Sequence, residues 1–301
     1  MFEKLIQRLE VFLLPEIKVS SLVYTPTLKY KRIDTPILYT LEIDDETYLN
    51  DYELVNNYRQ DLQLNLCYIG EQDYNFDIST INRDFSLSKD LKQQGKLIEV
   101  LANLTEDINL RVTKKGAIKS LNHSAVLKKW ENIKTQLLQI YKGTQARGYI
   151  DGIDTKIRDE ALFLDDIRQV KLFGLLFNKY QAAHETDPPR FCKVSNLINC
   201  IPVTFKEIIR ETKEDSEKDE KLILISGTME GLEDDVEDRI RKYFTHVGVQ
   251  YTPIVLSQYK RTVTLDLSSG YPKSVTLDIE LKNDDGYIRK QNFNLKQKHD
   301  G

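Results

Sequence analysis

Asp266, Glu280 and Lys282 are the residues of this 301-residue chain best suited, by type and spacing, to act together on a ligand. Asp266 lies in one alternating run, and Glu280-Leu281-Lys282 lies in the next. Alternation puts Glu280 and Lys282 on one face of their strand, opposite Leu277, Ile279 and Leu281. The other reactive side chains are dispersed. The four histidines, His123, His184, His246 and His299, each lack a cysteine or carboxylate at metal-ligand spacing, so neither a metal nor a cofactor is expected. Asp165-Asp166 beside Arg168 fall in a helical stretch, where neighbours point about 100° apart, and read as a solvated face. The three cysteines, Cys67, Cys192 and Cys200, show no CxxC spacing and fit a reducing compartment. Phosphate loops, dinucleotide fingerprints, the nucleophile elbow and the H-E-x-x-H motif do not occur.

The pattern Asp266…Glu280-x-Lys282 resembles the D…ExK arrangement of the restriction-nuclease-like superfamily. That resemblance implies a Mg²⁺-dependent phosphodiesterase in which Asp266 and Glu280 hold the ion and Lys282 helps a water attack phosphate. Leu265 stands where that family often has a proline, and the same residues also fit the polar face of an exposed hairpin. A second pattern, Gly116-x-Ile118…Asn122…Trp130, resembles uncharacterised sheet-and-helix proteins of flavobacteria and their relatives. It spans a small part of the chain. It implies a binding protein and carries over no catalytic residues.

Most elements that must position these residues read as strands. The runs 36–43, 62–70 and 74–80 alternate apolar and polar residues, the habit of antiparallel sheets with one buried face. The segment 106–112 leads through the glycine turn 113–116 to a returning strand at 117–121. A helix follows at 124–142, with Ser124 as N-cap and Trp130 as a core anchor; His123 caps or is solvated. Residues 143–152 read as a connector, and 155–183 as one long central helix, apolar nearly all round at 170–177. Asp187-Pro188-Pro189 ends it. Beyond lie a charged loop at 211–221, a strand at 222–229, an acidic helix at 230–244 and three strands at 261–295. Similar glycine turns at 113–116 and 267–270 raise the hypothesis of a duplication. Residues 1–15, with Phe2, Leu5, Ile6, Leu9, Phe12 and Leu13 on one face, read as an amphipathic helix stopped by Pro15.

The expected fold class is therefore α+β: a curved antiparallel sheet or half barrel packed on central helices, with an N-terminal amphipathic helix. The expected divisions are 1–15, 16–187 and 188–301. The net charge of −4 gives no general attraction to nucleic acid. No apolar run is long enough for a membrane span, and 1–18 lacks the features of a secretory signal, so a cytoplasmic location is expected. The lead expectation is a non-enzymatic protein-interaction module of adaptor, chaperone-like or inhibitor type. Its candidate faces are the acidic stretch 211–238, with Glu233, Asp234, Asp235 and Glu237 suited to a basic protein partner, and the tyrosine-bearing sheet, represented by Tyr39, Tyr68 and Tyr74. The alternatives are the phosphodiesterase and a carrier of an apolar ligand inside the half barrel.

Overall fold

The computed structural model describes residues 29–298, apart from 51, 90, 91, 170, 199, 200 and 233. The helix expected at 1–15, together with Glu233, Cys200 and His299, lies outside the described residues. Alternation does what it predicts over β1 (Ile37–Leu49), β2 (Tyr52–Ile69) and β3 (Asp73–Ser86). Ile37, Tyr39 and Leu41 turn to the buried face and Leu38, Thr40 and Glu42 to the other. The short β4 (Asp107–Thr113) and β5 (Ile118–Leu121) complete the first meander. Gly116, at φ 83°, makes the turn between them, a conformation a side chain would strain. The second meander comprises β6 (Arg190–Ile198), β7 (Ile201–Asp215), β8 (Glu220–Met229), β9 (Val255–Asp266), β10 (Pro272–Lys282) and β11 (Tyr287–Gln297).

The two meanders form one antiparallel sheet because β1 pairs with β11, Leu41 opposite Leu295 and Ile43 opposite Phe293. The order among the described residues is β5-β4-β3-β2-β1-β11-β10-β9-β8-β7-β6. Regions 16–187 and 188–301 thus share a sheet. Its curvature is strong enough that β6 touches β11, although four strands separate them.

The architecture corrects the expected α+β class. The molecule is mainly antiparallel sheet, and its helices are peripheral. α1 (Lys92–Ala102) follows β3. α2 (His123–Ile140), α3 (Thr144–Arg158) and α4 (Glu160–Arg168) pack mainly on one another. Only the five-residue α5 (Leu172–Leu176), wholly buried, lies against β10. α6 (Asp234–His246) packs on β7, with Phe244 edge-on to Tyr287 of β11. The curled sheet encloses α5 and Phe177 against its apolar face, so no outer helical layer is required.

The long helix expected over 155–183 is three short ones, and the supposed connector 143–152 is most of α3. The break has a local cause. Asp159 accepts hydrogen bonds from the Ala161 and Leu162 amides, capping a new helix where the old one ends. Lys171 is extended and Lys179 left-handed, φ 56°, so 177–183 runs as an irregular strap with one 3₁₀ turn at Tyr180–Ala182 instead of continuing the helix. Asn122, not Ser124, takes the cap position of α2. Trp130 is fully buried, as expected of an anchor, and donates from Nε1 to Asp154. His123 is mostly buried and its Nε2 lies 2.7 Å from the Ile157 carbonyl oxygen, which joins the start of α2 to the end of α3. The charged run 211–221 is largely strand, continuing β7 to a turn before β8.

The edge strands β5 and β6 follow one another in sequence, separated by the helical crossover. They do not pair; the crossover itself spans both. Arg168 donates from Nε and Nη2 to the carbonyls of Ile118 and Lys119 on β5. Asp165 of the same helix pairs with Lys193 of β6 at 3.3 Å. In the strap, Asn178 bridges to Ala117, the Lys179 amide donates to the Gly116 carbonyl, and Arg190 Nη1 donates to the Asn178 carbonyl. Covering edges in this way removes the templates that unpaired strands would offer to other chains.

Candidate functional site

The structure separates the three residues of the D…ExK pattern. Asp266, at the end of β9, accepts from the amide and hydroxyl of Ser268 and the hydroxyl of Ser269. Burial opposes its ionisation, but those hydrogen bonds win and hold the carboxyl below its ordinary range. Glu280 pairs with Gln258, so the length of β9 from 258 to 266, about 26 Å at the rise of a strand, separates it from Asp266. Its carboxylate accepts from Ser257. Lys282 is exposed at the strand end. One cation cannot be held by carboxylates so far apart. Among the described residues no group of three or more His, Cys, Asp or Glu side chains is placed to hold a metal.

The acidic stretch is divided as well. The turn between β7 and β8 and the first turn of α6 sit at opposite ends of β8, about 30 Å apart along its residues 220–229. Glu237 is already engaged: Arg241 and Tyr251 donate to it and keep its carboxyl below the ordinary range. Asp234 and Asp235 stand in the first turn of α6, where the helix dipole favours them. Tyr39 and Tyr74 cannot touch a partner. Both are buried, and Tyr39 donates to the Pro272 carbonyl across the concave face. Of the three tyrosines only Tyr68, 61% exposed, is at the surface. A half-buried strand has two faces, and these two tyrosines fall in phase with Leu41 and Phe76 on the inner one.

Two other places concentrate polar chemistry. The first is internal. Arg261 and Glu207 are essentially without solvent contact and form an ion pair at 3.0 Å. The Tyr259 hydroxyl donates to the same carboxylate. Arg261 Nη2 also reaches Cys192 Sγ and Tyr259 Oη, at 3.4 and 3.3 Å, and Nη1 reaches the Tyr180 hydroxyl at 3.5 Å. Burial, reinforced by the Glu207 charge, pushes the Cys192 thiol up to about 11, so it is not a thiolate nucleophile. Burial likewise pushes the Tyr180 phenol up to about 12.

The second is a cleft of about 850 Å³ at the seam between β5 and β6. Its lining contains Lys115, Arg168, Lys179, Arg190 and Lys221, and one acid, Asp187. Asp187 is paired with Arg190 at 2.7 Å. Lys221 donates to the Ala183 carbonyl at 3.0 Å. Lys115 and Lys179 have no acidic partner among the described residues. The strap fixes the geometry: Gln181, 3% exposed, donates to the Gly270 carbonyl, and its other amide atom packs so closely on Gly116 that a Cβ there would collide with it. Phe191, 69% exposed, and Pro188-Pro189 supply apolar surface at the rim. Sequence reading missed this site because its cations come from five separate segments. Only Lys114-Lys115-Gly116 hinted at a basic turn.

No protein-family model matches the chain, and no curated protein does. Among solved structures, DynF from the dynemicin biosynthesis pathway of Micromonospora chersina aligns over 91% of this chain and 86% of its own, with 6% identity and a TM-score of 0.19. An outer membrane channel of Pseudomonas putida F1 aligns over 89% and 98%, with 6% identity and a TM-score of 0.18. Likenesses this distant carry no argument about fold or function. Among the described residues no helix is long and apolar enough to cross a membrane.

Proposed function

We propose that this chain is a non-enzymatic protein-interaction module of the cytoplasm, and that its partner docks in the seam cleft. The supporting observation is the uncompensated charge there: five cations face one already paired acid, in a chain whose net charge is negative. Concentrated charge of one sign in a concave place steers and selects a partner. A cytoplasmic site of action agrees with the free thiol of Cys67, exposed at the surface. The carrier alternative draws less support, because packed rings fill part of the concave face: Tyr30 and Phe76 lie 5.2 Å apart, and each lies within 6.3 Å of Phe177 and Tyr271, centre to centre.

The test is site-directed crosslinking. Benzoylphenylalanine in place of Phe191 is irradiated with extract of the native cell, and adducts are identified by mass spectrometry. One defined adduct, competed by unlabelled protein and lost when Lys115 and Lys179 are changed to glutamate, is the expected result. An adduct indifferent to those changes, or none, would remove the cleft as the docking site.

A further inference from the structure

The lining of the cleft specifies its occupant more narrowly, and this step rests on the reading just given. We infer that the partner presents a short, extended acidic segment with an apolar side chain among its carboxylates.

The cations are held ready. Arg168 spends Nε and Nη2 on the carbonyls of Ile118 and Lys119, which leaves Nη1 to donate elsewhere. Arg190 spends Nη1 on Asn178 and Nη2 on Asp187, which leaves Nε. Both guanidinium planes are therefore fixed before a ligand arrives, so less side-chain entropy is lost on binding. Lys179 is fixed at its backbone by the left-handed turn and by the Gly116 carbonyl, and its side chain is exposed.

Carboxylates suit this set of one-sided donors. The cleft's volume is in the range that encloses a drug-sized ligand, more than a lone ion requires. The apolar rim of Phe191, Pro188, Pro189 and Ala182 asks for a side chain to cover it, since an aromatic so exposed gains by burial. A nucleic acid backbone fits less well. Asp187 lies in the cleft and Glu185, which accepts from Thr212, lies next to the strap, and the chain's net charge is −4. The chain carries its own acidic turn at 215–220, joined directly to Lys221 of the lining, so the same turn of a second copy is the competing occupant.

Fluorescence anisotropy with the full chain tests this. The probe is fluorescein-labelled Asp-Glu-Asp-Phe-Glu-Asp-Glu, and its control is the Asn/Gln counterpart. The acidic peptide should bind, weakening about tenfold as salt rises from about 50 to about 300 mM. Lys115→Glu with Lys179→Glu should weaken it a further tenfold or more, the milder Lys→Gln pair less, and Phe191→Ala about threefold; an unchanged circular dichroism spectrum verifies folding. Equal binding of the neutral peptide, or full binding by the double variants, overturns the inference. So does a concentration-dependent dimer, seen by light scattering at low salt and abolished by Lys115→Glu/Lys179→Glu, since the occupant would then be a second copy. A crosslinked partner at position 191 together with no peptide binding would discard the acidic segment while leaving the docking reading intact.

Discussion

The interiors of the two halves of the sheet are both mainly apolar, and the second half adds a buried ion pair. Over β1 to β4 the concave face is largely apolar and aromatic: Leu41, Leu62, Phe76, Leu110 and Val112 are buried, and Tyr30 and Phe177 pack on Phe76. Over β6 to β9 it carries Glu207 and Arg261, with Tyr259 and Cys192 around them. The first kind of interior gains free energy with every area of apolar surface removed from water. The second must recover a large desolvation cost through geometry, and fixes orientation more than it stabilises. The strap serves both, putting Phe177 into the aromatic half and Tyr180 against Arg261. A seam that strand pairing does not close is in this way held from the inside by two unlike contacts.

The largest expected effect comes from breaking the polar half. Glu207→Ala leaves Arg261 buried without its counter-charge and should cost about 4 kcal/mol in urea denaturation. Replacing both, Glu207→Leu with Arg261→Met, should recover most of that loss. If the double variant is as unstable as the single one, the pair stabilises more than this comparison allows. In the aromatic half, Phe177→Ala should cost about 3 kcal/mol by leaving a cavity against Phe76 and Tyr30, and no partner substitution should rescue it.

The helical hairpin offers a third, pH-dependent contrast. Burial would raise the Asp154 carboxyl, but donors from Trp130, Lys134 and Arg158 overcome it and bring the carboxyl down to about 2. A carboxyl depressed in the folded state stabilises fully above its unfolded value near 4. That stability is lost as pH falls from about 4 toward 2, and is on the order of 2 kcal/mol for a shift of this size. The urea midpoint of Asp154→Asn should accordingly converge on that of the wild type between pH 5 and pH 2.5. Parallel midpoints over that range would show the carboxylate to be unimportant. The smallest effect belongs to Glu280→Ala, on the outer face, expected within about 0.5 kcal/mol of wild type. A larger loss would mean that its contacts with Ser257 and Lys290 hold the outer wall together.

Strands were legible over 36–43, 62–70 and 74–80, where period two marks the sequence directly, but not over 211–215, whose charged residues read as a loop. The turns at Gly116, Gly270 and Gly286 were legible because a positive φ at each favours the one residue without a Cβ. The single helix expected over 155–183 was not, since its apolar run records only that the segment is buried. A five-residue helix followed by an irregular strap buries Leu172, Phe173, Leu175, Leu176 and Phe177 just as well. The tyrosines misled for a related reason. Alternation says that Tyr39 and Tyr74 share a side with the apolar residues, and only the curl of the sheet shows how completely that side is closed.

By itself, the sequence determined some local choices: that the alternating stretches pleat, where the glycine turns fall, which side of those strands is apolar, and that no stretch carries a contiguous catalytic motif. Each of these follows from neighbours a few residues apart, whose geometry the backbone fixes. The tertiary structure alone decided what meets what. It put β1 beside β11, stretched Asp266 and Glu280 to far ends of one hairpin, split the acidic run, buried Arg261 against Glu207 and gathered five scattered cations at the seam. Those juxtapositions depend on strand order and curvature, which arise from packing summed over the whole chain, and no window of sequence contains them.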